Sequence, residues 1–203
     1  MAESSDRERG ATLVEAAFVT LPFMLVVFAI LEFGLVFRAD LTISNASQRA
    51  SRAASVGGRV PTADFQIIEA VKDGLDDGGM ETIERVIVYR ATSPDDPVPA
   101  GCDAIVNPVG VQGVSGVCNV YGPDALTAPL VLPSGLDNPE WQCAVGARDA
   151  AWCPTDREVS FAAGPRDYVG VFVETTHNFI TGFFVDEIVL DANTVSRLEP
   201  ETE

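Results

Sequence analysis

Hydrophobic residues are concentrated in one long run near the N-terminus. Residues 1–10 are polar and charged, whereas residues 11–37 carry only two charged side chains, Glu15 and Glu32. As a helix, residues 11–37 would extend about 40 Å, and the hydrocarbon core of a membrane is about 30 Å thick. The pattern therefore predicts a membrane-spanning helix over residues 11–37, preceded by a short polar segment.

The helical pattern continues beyond the apolar run. Residues 38–56 form its continuation, which we expect to end near Ser55 because Gly57 and Gly58 follow. Mostly small residues recur in it at alternating spacings of four and three, a seam that lets another backbone approach closely. They are Ala39, Ile43, Ala46, Ala50 and Ala53. The pattern leaves two partners open for this seam, a neighbouring membrane helix or the sheet of the same chain.

Shorter elements follow in residues 57–203. Apolar residues at helical spacing predict a short amphipathic helix over about 65–75, capped by Thr62 or Asp64. Apart from one strand, residues 93–166 are predicted to form a Cys- and Pro-rich loop. Runs rich in β-branched residues predict four strands, at 84–91, 117–121, 168–177 and 187–198.

One carboxylate lies just inside the start of the apolar run. Glu15 closes the sequence Gly10-Ala11-Thr12-Leu13-Val14-Glu15. An ionised carboxylate in a membrane helix costs about 2–3 kcal/mol even on the lenient insertion scales. Such a residue usually has a partner, and a cationic amine would appear at Ala11 if the chain were cut after Gly10.

This junction resembles a type IV prepilin cleavage site, in which a peptidase cuts after a glycine and leaves a glutamate as the fifth mature residue. The continuation from Val14 through Leu21-Pro22 to Leu31-Glu32-Phe33-Gly34 is similar to the TadE-like pseudopilins, minor pilins of the tight-adherence (Tad/Flp) pilus system. The closing Ser196-Arg197-Leu198-Glu199-Pro200 also resembles a common ending of that family. No such match is found between Thr92 and Asp167.

The resemblance implies a pilin-like α+β fold, in which a long helix packs on a small antiparallel sheet with disulfide-stapled loops. It implies a leader peptide at 1–10, removed by prepilin peptidase, and an extracytoplasmic domain at 57–203. The chain would be a single-pass inner-membrane protein with a cytoplasmic N-terminus, and it could reach a cell-surface pilus. Its partners would be other pilins or pseudopilins and the inner-membrane assembly platform.

Two other interpretations of the N-terminus remain open. It could be a plain single-pass anchor with an incidental glutamate, or a secretory signal peptide, although the run exceeds the usual signal core of about 7–15 residues. Arginines flank the span on both sides, so the positive-inside rule does not fix the orientation. The orientation therefore depends on the resemblance and on the cysteines.

Within the span, Glu15, Pro22 and Glu32 are candidates for contacts between subunits. Pro22 removes a backbone hydrogen bond and should kink or loosen the helix, which could help it adapt to a filament, or it is simply tolerated in a membrane helix. Glu32 lies near the outer end, where it could reach lipid headgroups or pair with Arg38.

The charge of the chain limits its partners. The formal net charge is −17 at pH 7. Such an acidic domain repels phosphate backbones, so nucleic-acid binding is not expected. Outside the anchor it would also be repelled by anionic lipid surfaces.

Four cysteines, Cys102, Cys118, Cys143 and Cys153, follow the membrane span. An even number in an exported domain predicts two disulfides, for which three connectivities exist. We favour the sequence-adjacent pairs, 102–118 and 143–153, since each brackets a loop-like segment. Zinc is the alternative, although no C-x2-C spacing occurs.

Trp141 and Trp152 lie close to the second pair of cysteines. Tryptophan is enriched in binding hot spots, so these residues could form a recognition loop. They could equally form a small core beneath a long loop, which we favour.

The sequence carries no nucleotide-binding, zinc-protease or serine-hydrolase motif, and it has one histidine, His177. We expect neither enzymatic activity nor a cofactor. Asp73, Asp76 and Asp77 cluster near a helix end and are a weak candidate for Ca²⁺, since their spacing is not that of an EF-hand. The favoured function is a structural pseudopilin that acts in assembly of an adhesive Tad-type pilus. The alternatives are a membrane-tethered extracytoplasmic binding module that stays outside any filament and, more weakly, a secreted hydrolase or metal-dependent enzyme.

Overall fold

One long helix forms the N-terminal part of the chain. The computed structural model describes residues 3–76, 81–110, 112–127, 141, 143, 146–160, 165–182 and 185–199. The first helix, α1 (Glu3–Gly57), contains both the apolar run and its continuation. Gly58 follows it with a positive φ of 51° and donates its N–H to the Ala54 carbonyl at 3.3 Å. The glycine pair therefore ends the helix, as the sequence predicted.

The second helix, α2 (Ala63–Asp76), folds back along α1. Its first residue lies beside Gly57, and further along Gly74 packs against Ala46 so closely that an added Cβ would be 2.7 Å from the Ala46 Cα. Four of the five seam residues are fully buried: Ala39, Ile43, Ala46 and Ala50. The fifth predicted seam residue, Ala53, is half-buried, and its neighbour Ala54 is fully buried instead. The seam thus packs inside the chain's own domain.

Five strands follow the helices: β1 (Glu81–Ala91), β2 (Gln112–Val114), β3 (Cys118–Tyr121), β4 (Tyr168–Asn178) and β5 (Glu187–Arg197). They form one antiparallel sheet in the order β2-β3-β1-β4-β5. Within it, the neighbours β1 and β4 pair from Glu81 opposite His177 to Ala91 opposite Tyr168. We refer to the sheet, α2 and the C-terminal half of α1 as the head.

The core lies mainly between the sheet and the two long helices. Successive residues of a strand point to opposite faces, so Val86 and Val88 face the helices while Ile87 and Tyr89 face a second, smaller cluster. Hydrogen bonds also fix α1 to the sheet. Ser47 donates its Oγ proton to the Val171 carbonyl at 3.0 Å.

The remaining elements are short: α3 (Ala100–Asp103), α4 (Pro123–Thr127) and a 3₁₀ turn at Pro154–Asp156. All four predicted strands are present, and the predicted α+β architecture is confirmed. The loop prediction was wrong at β2. Its three residues include a glycine and carry no strand pattern of their own, so β2 depends on pairing with β3.

Candidate functional site

The first half of α1 presents a continuous apolar surface to the outside. None of the residues in its most hydrophobic 18-residue stretch is buried. Phe18 and Phe37 are 76% and 68% exposed. In the described part of the chain, α1 is the one helix long and apolar enough to span a membrane, which fits a single-pass membrane protein.

The residues predicted for cleavage and subunit contact lie along this surface. Gly10 and Ala11 fall within α1, and Glu15 is exposed one turn further on. The helix runs through Pro22 without interruption, although proline has no N–H to donate to the Phe18 carbonyl. Every residue from Thr12 to Pro22 is exposed.

Glu32 marks the level at which the head begins. Glu32 is only 2% exposed. The two carboxylate oxygens accept hydrogen bonds from the backbone N–H groups of Ile180, at 3.2 Å, and Thr181, at 2.6 Å. The sequence suggested headgroups or Arg38 as partners and did not indicate these amides. We call this pair of hydrogen bonds the Glu32 clasp.

The clasp holds the loop that joins β4 to β5. We call residues 179–182 and 185–186 the tip loop; residues 183 and 184 lie outside the described residues. The Phe179 N–H donates to the Asp186 carbonyl at 3.0 Å and closes the loop at its base. His177, 2% exposed, packs edge-on against Phe179. The single histidine of the chain is therefore part of the packing at this end of the sheet.

The cysteines lie away from the clasp, around β3 and the following loop. The disulfides join Cys102 to Cys118 and Cys143 to Cys153, the sequence-adjacent pairs that we favoured. The first crosses from α3 to β3 in the smaller cluster. All four cysteines of the chain are therefore in disulfides, as two separate pairs.

Both tryptophans are buried in the main core. Trp141 and Trp152 are each 3% exposed. Trp141 contacts the rings of Phe65 and Tyr121, whereas Trp152 lies under the Arg157 guanidinium at 4.4 Å. Of the two alternatives left open by the sequence, the structure therefore supports the core that we favoured rather than a recognition loop. These residues form a core beneath the loop, since aromatic side chains this large are driven from water when a hydrophobic cluster is available.

A fully buried ion pair lies beside the tryptophans. Arg157 donates to the Asp64 carboxylate, and neither side chain is accessible to solvent. Tyr121 and Asn119 also donate to that carboxylate, at 2.6 and 2.8 Å. Burial, together with the Asp64 charge, raises the pKa of Tyr121 well above its usual value, so the phenol stays protonated and remains a donor. Asp64, which we considered as a cap of α2, instead joins α2 to β3 and to Arg157, which follows the 3₁₀ turn at Pro154–Asp156.

A cleft of about 640 Å³ opens where β1 ends and β4 begins. The Arg90–Asp167 ion pair, with 2.8 Å between Nη2 and Oδ1, lies at its wall. Because β4 runs from this cleft to the tip loop, the cleft and the clasp lie at opposite ends of the head.

The candidate calcium residues are incompletely described. Asp73 is exposed on α2, while the side chain of Asp76 and the whole of Asp77 fall outside the described residues. In the part of the chain that the structure describes, no group of three or more acidic, histidine or cysteine residues is arranged to hold a metal ion.

A known protein family matches the N-terminal part of the chain. Residues 10–52 match the family described as TadE-like protein. No curated protein and no solved structure matches the chain significantly. The matched segment begins at Gly10 of the candidate cleavage junction and includes the exposed apolar surface, Glu32 and most of the buried seam. The resemblance noted in the sequence is therefore confirmed over residues 10–52, and this match supports a TadE-like protein of Tad pilus systems.

Proposed function

We propose that this chain is a pseudopilin, or minor pilin, of a Tad-type pilus, processed by prepilin peptidase after Gly10. Its role is structural rather than enzymatic. The observation that carries the proposal is the division of α1 into two halves with opposite burial. One half is exposed and apolar, and the other is the core helix of the head. A subunit built in this way presents the exposed half to lipid before assembly and to sister helices afterwards.

Glu15 would guide this association. In lipid its carboxylate is costly, and after cleavage the Ala11 amine of a neighbouring subunit could pair with it. Two unit charges about 4 Å apart attract by roughly 4 kcal/mol at an effective dielectric constant of 20. This attraction is comparable to the cost of inserting the carboxylate. Pairing between subunits would therefore favour association over isolation.

The head is proposed to lie outside the cytoplasm. Disulfides persist in oxidising compartments, and the two in this chain involve all of its cysteines. The partners proposed from the family resemblance are other pilins or pseudopilins, the prepilin peptidase and the inner-membrane assembly platform.

Mass spectrometry of the protein from a host with a prepilin peptidase tests the processing step. We expect a mature N-terminus at Ala11, and an uncleaved precursor for Gly10→Val. Gly34→Val is the matched control, because a Cβ at Gly34 meets nothing within 4 Å and this site is remote from the junction. An intact N-terminus at Met1 in the wild type would overturn the proposal of processing.

Glu15→Gln tests assembly. We expect it to insert and to be cleaved, but to lose cross-linking to partner pilins. Normal cross-linking and normal surface pili would show that the charge has no role in association.

The cleft at the far end of the head favours a second candidate, a membrane-tethered binding module that never enters a filament. The two candidates differ in a measurable way. A binding module would be absent from sheared, purified pili, whereas a minor pilin would be recovered in them with Ala11 as its first residue.

A further inference from the structure

We infer that the tip loop between β4 and β5 is a second membrane-contacting element, which rests on the lipid surface beside α1. The inference depends on the proposed membrane-spanning role of α1. Its direct basis is the Glu32 clasp, because the clasp fixes the height of the tip loop along the helix.

The first step is the position of Glu32 relative to the bilayer. About twenty helical residues cover a hydrocarbon core of about 30 Å. A span that begins at Thr12 therefore reaches its outer boundary near Glu32. If the span is shifted toward Phe37, Glu32 lies deeper. In both positions the backbone of Ile180 and Thr181, bonded to Glu32, lies at or below the level of the headgroups.

The second step is the chemistry of the tip. Ile180 is 66% exposed and Val185 is 50% exposed, and exposed valine and isoleucine continue into the start of β5 at Ile188 and Val189. Exposed apolar residues that lie together usually mark a contact surface. Ile180 lies beside α1 through its hydrogen bond to Glu32, and the next residue of α1, Phe33, is also exposed. The apolar tip thus begins next to the part of the chain proposed to be in lipid.

The third step is the choice of occupant and of lipid. A lipid surface is favoured because the hydrogen bonds of the clasp belong to the folded single subunit and place the patch at the bilayer without any partner. Asp186 and Glu187 are exposed in the same segment, so anionic lipids would oppose the contact. We therefore infer a zwitterionic lipid interface, with the apolar side chains inserted to the boundary between headgroups and acyl chains.

The experiment measures the depth of the tip in a bilayer. The full-length protein, with Ile180→Cys labelled by an environment-sensitive fluorophore, is placed as one copy per phosphatidylcholine nanodisc. The native cysteines are all in disulfides, so the new thiol takes the label. Lipids brominated on the acyl chain quench fluorophores that reach them. Val56→Cys is the matched control, because Val56 is 70% exposed and lies 24 residues beyond Glu32 on α1, about 36 Å away.

An apolar face at the membrane interface is buried about 5–10 Å deep, so we expect brominated lipid to quench the probe at position 180 and to leave the probe at position 56 unaffected. Val185→Cys is a second tip position in case the first variant folds poorly. Equal behaviour of the tip probes and the Val56 probe would overturn the inference. The tip probes could instead stay unquenched by lipid and show a blue shift only in discs that hold two copies of the protein. That result would assign the patch to contact with another subunit and would also overturn the inference.

A probe at Phe18→Cys separates this result from failure of the proposed membrane span. If Phe18 is quenched and the tip is not, the span is retained and only the tip contact is wrong. If neither is quenched, both are wrong.

Discussion

The Glu32 clasp can be tested by a substitution that replaces one carboxylate oxygen with an amide nitrogen. Glu32→Gln keeps the shape of the side chain and one acceptor oxygen, but it turns the other oxygen into an amide donor. That donor would face one of the N–H groups of Ile180 and Thr181, which now bond the two carboxylate oxygens. The substitution therefore removes one hydrogen bond, weakens the other and leaves a backbone N–H unpaired.

The expected magnitude follows from the two bonds. A hydrogen bond to a charged acceptor is worth about 1.5–3 kcal/mol, and an unsatisfied buried donor costs about 1–3 kcal/mol. We therefore expect the clasp to weaken by about 2 kcal/mol or more, which corresponds to about a thirtyfold increase in the open fraction of the loop. The fold of the head should persist, because the hydrogen bonds between α1 and the sheet are far from Glu32.

Hydrogen exchange in nanodiscs measures this directly. The amides of Ile180 and Thr181 should exchange about thirtyfold faster in Glu32→Gln than in the wild type. Glu15→Gln is the matched control, since it is the same chemical change at an exposed site on the same helix and should leave these amides unaffected. Exchange at wild-type rates in Glu32→Gln would refute the clasp as an interaction that holds the loop.

Three other substitutions test the packing of the head and a turn. Asp64→Asn leaves the buried Arg157 without its counter-ion, so chemical denaturation should show a loss of about 3–5 kcal/mol, and a loss below about 1 kcal/mol would contradict this. Gly74→Ala forces α2 away from α1 and should cost about 1–3 kcal/mol, whereas Gly34→Ala, with open space around it, should not lower the melting temperature. Hydrogen bonds from nearby hydroxyl groups lower the pKa of Asp96 in the folded state, so the wild type should exceed Asp96→Asn in stability above about pH 5, and this difference should shrink as the pH falls below about 4. If the stability difference between the wild type and Asp96→Asn did not change with pH, the ionised carboxylate would not be its cause.

Local patterns were enough to predict much of the architecture. The apolar run, the glycine pair after α1 and the β-branched runs gave the long helix and four of the five strands. The small-residue seam was also readable, because close approach of backbones requires small side chains on one helix face. The sequence left its partner open, and only the fold assigns it to the chain's own α2 and sheet.

Long-range polar contacts could not be predicted in this way. Glu32 is bonded to backbone amides 148 and 149 residues away, and backbone donors have no signature in a sequence. The partners Asp64 and Arg157 are 93 residues apart and look like any other surface charges of an acidic protein. The tryptophans were ambiguous for a related reason. A large aromatic residue near a disulfide is equally compatible with a core and with a binding surface until its neighbours are known.

The two ends of the head are attached to α1 by different hydrogen bonds. Near the end of α1, Ser55 donates to the Arg197 carbonyl at 2.7 Å and accepts at its own carbonyl from the Glu199 N–H at 3.0 Å. At the lower end the Glu32 clasp holds the tip loop. A head fixed at both ends covers one side of α1 from residue 32 onward. In the proposed filament, sister subunits could surround α1 on all sides over residues 12–31, with Glu15 near the start of this segment. Beyond residue 32 only the side away from the head stays open to them, where Phe37 and Leu41 are exposed.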